Sequence, residues 1–322
     1  MPLLIYLDQN KWIDLGRAYY GGELGKEFTT AKEDLLAKAE KEKVFVPLSV
    51  VHYIETAKEM KEERKDRLAR FMVKLSGGYS ILPFPAVREA EVNQAILRQL
   101  GRTPTMNIKD LVVKKGIDHA LGAEFDLAKV SEKFQNNVSD LLGNEDTLVK
   151  ILTDPTLLRT SREMGKDDME IVEKLEEDRR KLLAQCPDKE MRLRIAIAQM
   201  AEGSIMPIVV TELKRLGLPV QELAQTFETP EAAKAFILGM PTMDVWINLH
   251  IERDNDIGRK IDRNDTNDIA FLSMAVPYCD VVVTEKFWAH KLRSKGFDAK
   301  YNCEILTSVS DLPRTIKDRI GD

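Results

Sequence analysis

Segments with strand-forming composition are few, short and mostly apolar, and this restricts the possible folds more than any other feature of the chain. They span residues 3–7, 44–46, 80–82, 280–284 and 303–306. Strands without alternating polar residues are typical of a parallel sheet that is buried on both faces. Because the long stretches between them have helical patterns, the sequence predicts an α/β fold in which helices flank a central parallel sheet.

The spacing of these segments is uneven. Three of them fall within the first 85 residues, and the next clear strand does not begin until about Val281. The stretch 102–242 has mostly helical patterns, which prolines separate at intervals suited to individual helices. We therefore predict one α/β domain made from residues 1–101 and 243–322, interrupted by a mostly α-helical insertion at 102–242. A lid, a substrate platform and a dimerisation element are all open as roles for this insertion.

Charge and cysteine content exclude some classes of protein. A net charge of -5 argues against a protein that coats nucleic acid by bulk electrostatics, although 48 Lys and Arg residues allow a local basic groove. The three cysteines lie far apart and form no CxxC pair, so neither a zinc site nor a disulfide framework is expected. No segment resembles a signal peptide or an apolar membrane span. We expect a cytoplasmic protein without membrane association.

The first strand leads directly into an acidic residue. Residues 3–7 are apolar, and Asp8 and Asn10 follow before a helical pattern begins at Lys11. A carboxylate at the carboxyl end of a buried strand is energetically costly unless it has a role, and ligand sites of open α/β sheets form at this edge. Asp8 and Asn10 are therefore predicted to form the first half of a site.

A second acidic residue follows the second strand. Pro47 suits the opening of a helix, and Ser49 can either cap that helix or form a hydrogen bond near the site. Glu55 lies in the second turn, next to the apolar Val51 and Ile54. Read alone, Glu55 would be a solvated helical acid, but its apolar neighbours place it close to the buried side.

The third acidic segment precedes the next strand. Asp265 or Thr266 makes a good helix N-cap, and Asp268 lies one turn after Asp265 on the same face of the helix. One cap would explain one acid, whereas two acids on one face favour a metal site. The following strand ends in Thr284 and Glu285, at the same sheet edge as Asp8.

Several carboxylates at one sheet edge repel one another, and without a cation their pKa values would be raised. Hard oxygen ligands without accompanying His or Cys suit Mg²⁺ or Mn²⁺. Such ions orient a water, lower its pKa and neutralise the charge of a phosphate. The ordered set of acids, more than any single acid, therefore predicts a Mg²⁺ or Mn²⁺ site.

With these motifs the chain resembles the PIN-domain nucleases. The resemblance rests on Tyr6–Asn10, on Ser49–Glu55 and on the helix–strand unit Asp268–Thr284, and it extends to the strand and turn at Ile81–Pro85. It covers roughly residues 1–100 and 243–322 and leaves the middle of the chain unexplained.

The resemblance implies a metal-dependent ribonuclease with three or four acids in its site. By position, Asp8, Glu55 and Asp268 match the first three. Many members have Thr, any residue and then Asp after the last core strand, but this chain has Thr284, Glu285 and Lys286. Glu285 or Asp265 would then complete the set of metal ligands, and we take Asp8, Glu55, Asp268 and Glu285 as the catalytic acids.

Basic residues cluster after the last acid: Lys286, His290, Lys291, Arg293, Lys295 and Lys300. They form either a solvated helix face or a surface that holds phosphates beside the metal, since phosphate contacts position nucleic acid without reading its sequence. The predicted substrate-binding residues are Asn10, Lys11, Ser49, Thr284, Lys286, Lys291 and Arg293. Trp12 is better explained as a core residue, and His52 as a structural histidine.

The function that these observations favour is a metal-dependent endoribonuclease that cleaves RNA phosphodiester bonds. A non-catalytic RNA-binding or scaffold protein with a degenerate site is an alternative. A metal-dependent DNA nuclease or phosphatase could use the same acids. The sequence leaves open whether the chain forms a homo-oligomer.

Overall fold

The computed structural model describes residues 2–58, 61–104, 106–122, 144–154, 172–262 and 264–321. It contains two compact units. The first comprises Met1–Pro83, Leu111–Met164 and Tyr278–Asp322, and the second comprises Phe84–Asp110 and Gly165–Pro277. Each unit is described by itself.

The first unit contains all the strands of the described residues. These are β1 (Leu3–Leu7), β2 (Val44–Phe45), β3 (Tyr79–Ile81), β4 (Val113–Lys115), β5 (Val281–Val283) and β6 (Glu304–Leu306). Four of them form a sheet in the order β2-β1-β5-β6, and every neighbouring pair is parallel. The predicted α/β class with a small buried parallel sheet is therefore confirmed.

Burial explains the composition of the two central strands. All five residues of β1 and all three valines of β5 are buried. In the register of these strands Leu7 is paired with Val283, so β1 and β5 end at the same edge of the sheet. The continuous apolar pattern arises because both faces of these strands are covered.

The segment predicted as a strand at 80–82 has a different partner from the other four. As β3 it pairs antiparallel with β4, in a separate two-stranded sheet. A single bridge joins Leu48 to Ser80, and the Leu48 N–H donates to the Tyr79 carbonyl at 2.9 Å. The sequence did not predict β4, which lies inside the stretch predicted to be mostly α-helical.

Helices surround the sheet of the first unit. They are α1 (Gln9–Tyr19), α2 (Thr29–Glu40), α3 (Val50–Ala57), α4 (Glu62–Ser76), α7 (Ile117–Leu121), α8 (Glu145–Thr153), α15 (Lys286–Ser294), α16 (Phe297–Tyr301) and α17 (Leu312–Ile320). Trp12, Leu15 and Phe71 are fully buried in its core, so Trp12 is a core residue as predicted.

The regular secondary structure of the second unit is entirely helical among its described residues. Its helices are α5 (Phe84–Gln99), α9 (Lys189–Met200), α10 (Met206–Arg215), α11 (Val220–Ala224), α12 (Pro230–Leu238), α13 (Pro241–Asn255) and α14 (Asp265–Tyr278). Further helical residues lie at 172–185, and the last residue of α14, Tyr278, is counted with the first unit. A short helix, α6 (Ile108–Val112), lies at the boundary. Ile96, Leu213 and Ile247 are fully buried in a separate core.

The boundaries of the two units differ from those of the predicted domains. Leu148, Val149 and Leu152, which lie within the predicted insertion, contribute to the core of the first unit. Met243 and Ile247, which lie beyond the predicted insertion, contribute to the core of the second unit. The reason is that each helix joins the core that buries its apolar face.

Helices α9 and α10 of the second unit are parts of one continuous apolar helix, Lys189–Arg215. By length and composition alone, Lys189–Arg215 is the one helix among the described residues that could span a membrane, and little of its apolar stretch is buried. It contains a π-helical turn at Ala201–Ile205.

Candidate acidic site

Asp8 lies at the junction between β1 and α1 and is held there by its backbone. Its N–H donates to the Val283 carbonyl at 3.0 Å, and its own carbonyl accepts from the Lys11 N–H at 2.8 Å. Its carboxylate caps α1 by accepting from the Gln9 N–H at 2.7 Å. Burial raises the pKa of Asp8, although the Gln9 hydrogen bond opposes this shift. The first predicted acid is thus fixed and mostly shielded from water.

Glu285 occupies the corresponding position after the neighbouring strand, at the N-cap of α15. Its Oε1 accepts from the Asn10 Nδ2 at 2.9 Å, so a residue from the β1 side of the sheet orients it. Between strand and helix, the Thr284 side chain forms a hydrogen bond with Asp8, which lowers the pKa of Asp8. The structure therefore brings Asp8, Asn10, Thr284 and Glu285 together.

Glu55 approaches the same edge from α3. Its side chain is half-buried, and burial is the main reason why its pKa is raised to about 7. The charges of Asp8 and Glu285 raise the pKa of Glu55 further, while the charge of Lys58 lowers it. Asp8, Glu55 and Glu285, called the acidic cluster below, are thus coupled electrostatically although they come from three distant segments.

Two helices begin at the acidic cluster. Asp8 and Glu285 hold the N-cap positions of α1 and α15, which follow two adjacent parallel strands. The partial positive charge of a helix N-terminus favours nearby carboxylates. This local field favours the ionised forms of Asp8 and Glu285, whereas Glu55 lies inside α3 and has no such support.

The chemistry of the acidic cluster suits a hard divalent cation, because its ligands are carboxylate oxygens with no sulfur or accessible imidazole. Among the described residues, however, no group of three or more Asp, Glu, His or Cys side chains is placed so that it could hold a metal ion. Glu285 is exposed and Glu55 half-buried, so both side chains lie where a change of rotamer is possible.

Asp265 and Asp268 lie in the second unit, at the start of α14. The Asp265 carboxylate is buried and accepts two hydrogen bonds from Arg259, at 2.6 and 2.7 Å. It also accepts from the Asp262 N–H at 2.8 Å. This pairing accounts for both oxygens of Asp265 without a metal. Asp268 is half-buried in the first turn, and its N–H donates to the Asn264 carbonyl at 2.9 Å.

Three of the predicted substrate-binding residues lie at the solvent-facing side of the acidic cluster. Asn10 and Lys286 are exposed, and Lys11 is half-exposed. The charge of Lys11 lowers the pKa of Asp8, so this lysine lies close enough to influence the acid. These positions are compatible with phosphate contacts.

Two further predicted substrate-binding residues are buried. Ser49 has no exposed surface, and it starts α3 through a capping box with His52. Of the two roles that the sequence left open for Ser49, the structure places it in the capping role. Thr284 is 2% exposed, and its side chain contacts Asp8.

The basic residues of α15 are partly engaged within the protein. Arg293 donates to the Ile305 carbonyl and so ties α15 to β6. The Lys291 Nζ lies 5.3 Å from the centre of the Phe287 ring, in a cation–π contact. His290 is exposed. The predicted phosphate surface is therefore less continuous than the sequence suggests.

Lys58 is a neighbour of the acidic cluster that the sequence analysis missed. It follows the last turn of α3, is exposed, and its charge lowers the pKa of Glu55. The available signal was its position three residues after Glu55, which places both residues on one side of the helix.

Comparison of the chain with family models, with curated proteins and with solved structures found no match.

Proposed function

We propose that this protein is a metal-dependent nuclease of the PIN-like type, which cleaves RNA phosphodiester bonds with Mg²⁺ or Mn²⁺. The observation that carries the proposal is the acidic cluster itself. Three carboxylates from three distant segments lie at the carboxyl edge of a parallel sheet, and two of them have raised pKa values. Such an arrangement destabilises the protein unless a cation or a proton relieves it, so it is typical of a functional site.

In this proposal Asp8, Glu55 and Glu285 hold the cation. A bound Mg²⁺ or Mn²⁺ supplies Lewis acidity, lowers the pKa of a water and offsets charge on a phosphate. Asn10 orients Glu285 through its amide, and Lys11 supplies positive charge for a substrate phosphate. Because the carboxylates are too dispersed to hold an ion as they stand, the proposal requires Glu55 or Glu285 to change rotamer on binding.

Asp8→Asn is the sharpest test of this proposal. The substitution keeps an acceptor that can cap α1 but removes a charge from the acidic cluster. We expect Mn²⁺-dependent cleavage of single-stranded RNA to fall by about 100-fold or more, which corresponds to about 2.7 kcal/mol of transition-state stabilisation. Cleavage rates under single-turnover conditions provide the measurement.

Asp14→Asn is the matched control, because Asp14 lies on the same helix and forms only a surface ion pair with Arg17. We expect it to retain full activity. Undiminished cleavage by Asp8→Asn would refute the mechanism.

The second candidate function is a non-catalytic RNA-binding or scaffold protein. Two observations favour it: the carboxylates of the described residues are not assembled around an ion, and Lys286 stands where the PIN-like pattern has an acid. Titration with Mn²⁺ distinguishes the two candidates, because a scaffold should bind no divalent ion tightly and cleave nothing. A panel of RNA, DNA and small phosphoesters separates a ribonuclease from a DNA nuclease or a phosphatase.

A further inference from the structure

The carbonyl oxygen of Leu7, the residue before Asp8, points to the side of β1 on which β2 lies, but β2 does not extend as far as Leu7. Backbone groups of alternate residues point to the same side of a strand. The Leu3 N–H donates to Lys43 on the β2 side, and Leu7 has the same parity as Leu3. Since β2 has only two residues, it ends before it reaches Leu7. The Leu7 carbonyl therefore needs a partner from outside the sheet.

His52 of α3 provides that partner. Its Nε2 lies 2.8 Å from the Leu7 carbonyl oxygen, and its Nδ1 accepts from the Ser49 N–H at 2.9 Å. Because Nδ1 is an acceptor, the ring proton must be on Nε2, which donates to Leu7. Burial lowers the pKa of His52 to about 4, so the neutral ring persists at pH 7.

A second buried contact joins α3 to the other side of Asp8. The Gln9 Nε2 donates to the Thr56 Oγ1 at 3.2 Å, and the Thr56 hydroxyl donates to the Met72 Sδ at 3.4 Å. Thr56 is fully buried and Gln9 nearly so. The position of this contact is thus fixed by the packing of α4 as well as α3.

The two contacts form a pair around the acids. On the β1 side they hold Leu7 and Gln9, the two neighbours of Asp8 in the chain. On the α3 side they come from His52 and Thr56, which lie three residues before and one residue after Glu55. We propose that His52 and Thr56 are positioning residues, which fix the α3 carboxylate relative to the β1 carboxylate and thereby set the affinity of the acidic cluster for a divalent cation. This inference rests on the proposed function.

The physical reason is geometric. Ligands of a small hard cation must lie within about 0.5 Å of their productive positions once the ion is bound. A rotamer change of Glu55 can reach such a position only if the backbone of α3 is already held in place relative to that of Asp8. Outer residues that orient ligands commonly change metal affinity by about 10- to 100-fold when they are replaced. Without the His52 contact, the Leu7 carbonyl would be an unpartnered buried acceptor at the junction that carries Asp8, and that junction would be free to shift.

The test compares His52→Leu with His52→Gln in the full chain. Leucine removes the donor, whereas the glutamine amide can donate from nearly the same place as Nε2. The readouts are the Kd for Mn²⁺ from isothermal titration calorimetry and the urea midpoint from circular dichroism. We expect His52→Leu to weaken Mn²⁺ binding about tenfold or more, and His52→Gln to restore most of the affinity.

His250→Leu is the matched control. His250 is a half-buried histidine in the second unit, with its pKa lowered to about 3, chiefly by burial, and its ring 3.9 Å from that of Trp246. Its loss should lower stability and leave the Mn²⁺ affinity unchanged. A purely structural role for His52 predicts this same behaviour for His52→Leu.

Folded His52→Leu with wild-type affinity for Mn²⁺ would overturn the positioning role. If His52→Leu does not fold, Thr56→Val decides the question, because it removes the Gln9 contact with almost no change in volume. A weaker affinity of Thr56→Val supports the role and an unchanged one overturns it. If the wild-type protein binds no Mn²⁺, the proposed function and this inference both fail. If wild type and variant bind Mn²⁺ equally, only this inference fails.

Discussion

The Glu55 carboxylate is costly to ionise where it lies. Burial and the neighbouring charges of Asp8 and Glu285 raise its pKa from 4.5 to about 7. This shift corresponds to about 3 kcal/mol between the two protonation states. An acid whose pKa is raised by folding stabilises the fold fully below its unfolded pKa. That contribution is lost as the pH rises through about 7.

Replacement of Glu55 by Gln should therefore flatten the pH dependence of stability. In EDTA, the free energy of unfolding of the wild type relative to Glu55→Gln should fall by about 3 kcal/mol between pH 4.5 and pH 8. Urea denaturation at several pH values measures this difference. His52 and His250 are common to both proteins and cancel in the comparison, whereas Asp8 and Glu285 are coupled to Glu55 and belong to the measured difference.

Saturating Mn²⁺ should restore the stability of the wild type at pH 8 and leave Glu55→Gln nearly unchanged, because the cation compensates the ionised carboxylate. Parallel profiles of unfolding free energy against pH for the two proteins in EDTA would show that folding does not raise the pKa of Glu55. The electrostatic argument for the acidic cluster would then fail.

Individual residues differed in how well the sequence predicted them. The apolar neighbours Val51 and Ile54 correctly placed Glu55 toward the buried side. Its raised pKa was predictable only as a general consequence of clustered acids, because the two interacting carboxylates are 47 and 230 positions away in the chain. The contact between His52 and Leu7 was not predictable, since it depends on where β2 stops.

At the scale of single elements, the start of α14 offers two acids with different environments. Asp265 is buried in a bidentate pair with Arg259, whereas Asp268 is half-buried one turn later. Asp265→Asn should lower the free energy of unfolding by about 2 kcal/mol, because charged hydrogen bonds are lost, and should leave Mn²⁺ affinity unchanged. Asp268→Asn should also leave Mn²⁺ affinity unchanged, because the proposed ligands are Asp8, Glu55 and Glu285 and Asp268 belongs to the other unit.

Calorimetric Mn²⁺ titration and urea denaturation of both variants provide the measurements. Loss of Mn²⁺ binding in Asp265→Asn, with stability preserved, would contradict the assignment of Asp265 to the ion pair. It would instead favour Asp265 as the ligand that completes the set.

The strands show what hydrophobic pattern can and cannot predict. Short, mostly apolar runs identified β1, β2, β5 and β6 because these strands form the parallel sheet, in which only Phe45 of β2 and Glu304 of β6 are half-buried. The pattern failed for β4, where Val113 is followed by the exposed Lys114 and Lys115. Lysines on a short strand discourage edge-to-edge pairing with other chains, but they also remove the apolar signal.

At the scale of the whole molecule, the chain passes repeatedly between two cores. The first unit is assembled from three separate stretches and the second from two. Helical periodicity predicts that a helix has a buried face, but it contains no information about which core receives that face. For this reason α8 and α13 joined units that the sequence analysis had not assigned to them.

Separate cores predict separate local stability, and a matched pair of substitutions tests this. Leu15 in α1 and Leu213 in α10 are both fully buried leucines, and they belong to the first and second core respectively. Leu→Ala at either position should cost about 2–5 kcal/mol, because it removes buried methyl groups and leaves a cavity.

Hydrogen exchange measured by mass spectrometry locates where that stability is lost. Leu15→Ala should accelerate exchange in β1 and β5 while α13 retains its protection, and Leu213→Ala should have the opposite effect, because each cavity weakens only the core that contains it. If either variant accelerates exchange equally in both units, the two cores unfold as one cooperative structure. Damage to the helical core would then also disturb the strand ends that carry the acidic cluster, so Leu213→Ala would reduce Mn²⁺ affinity as well.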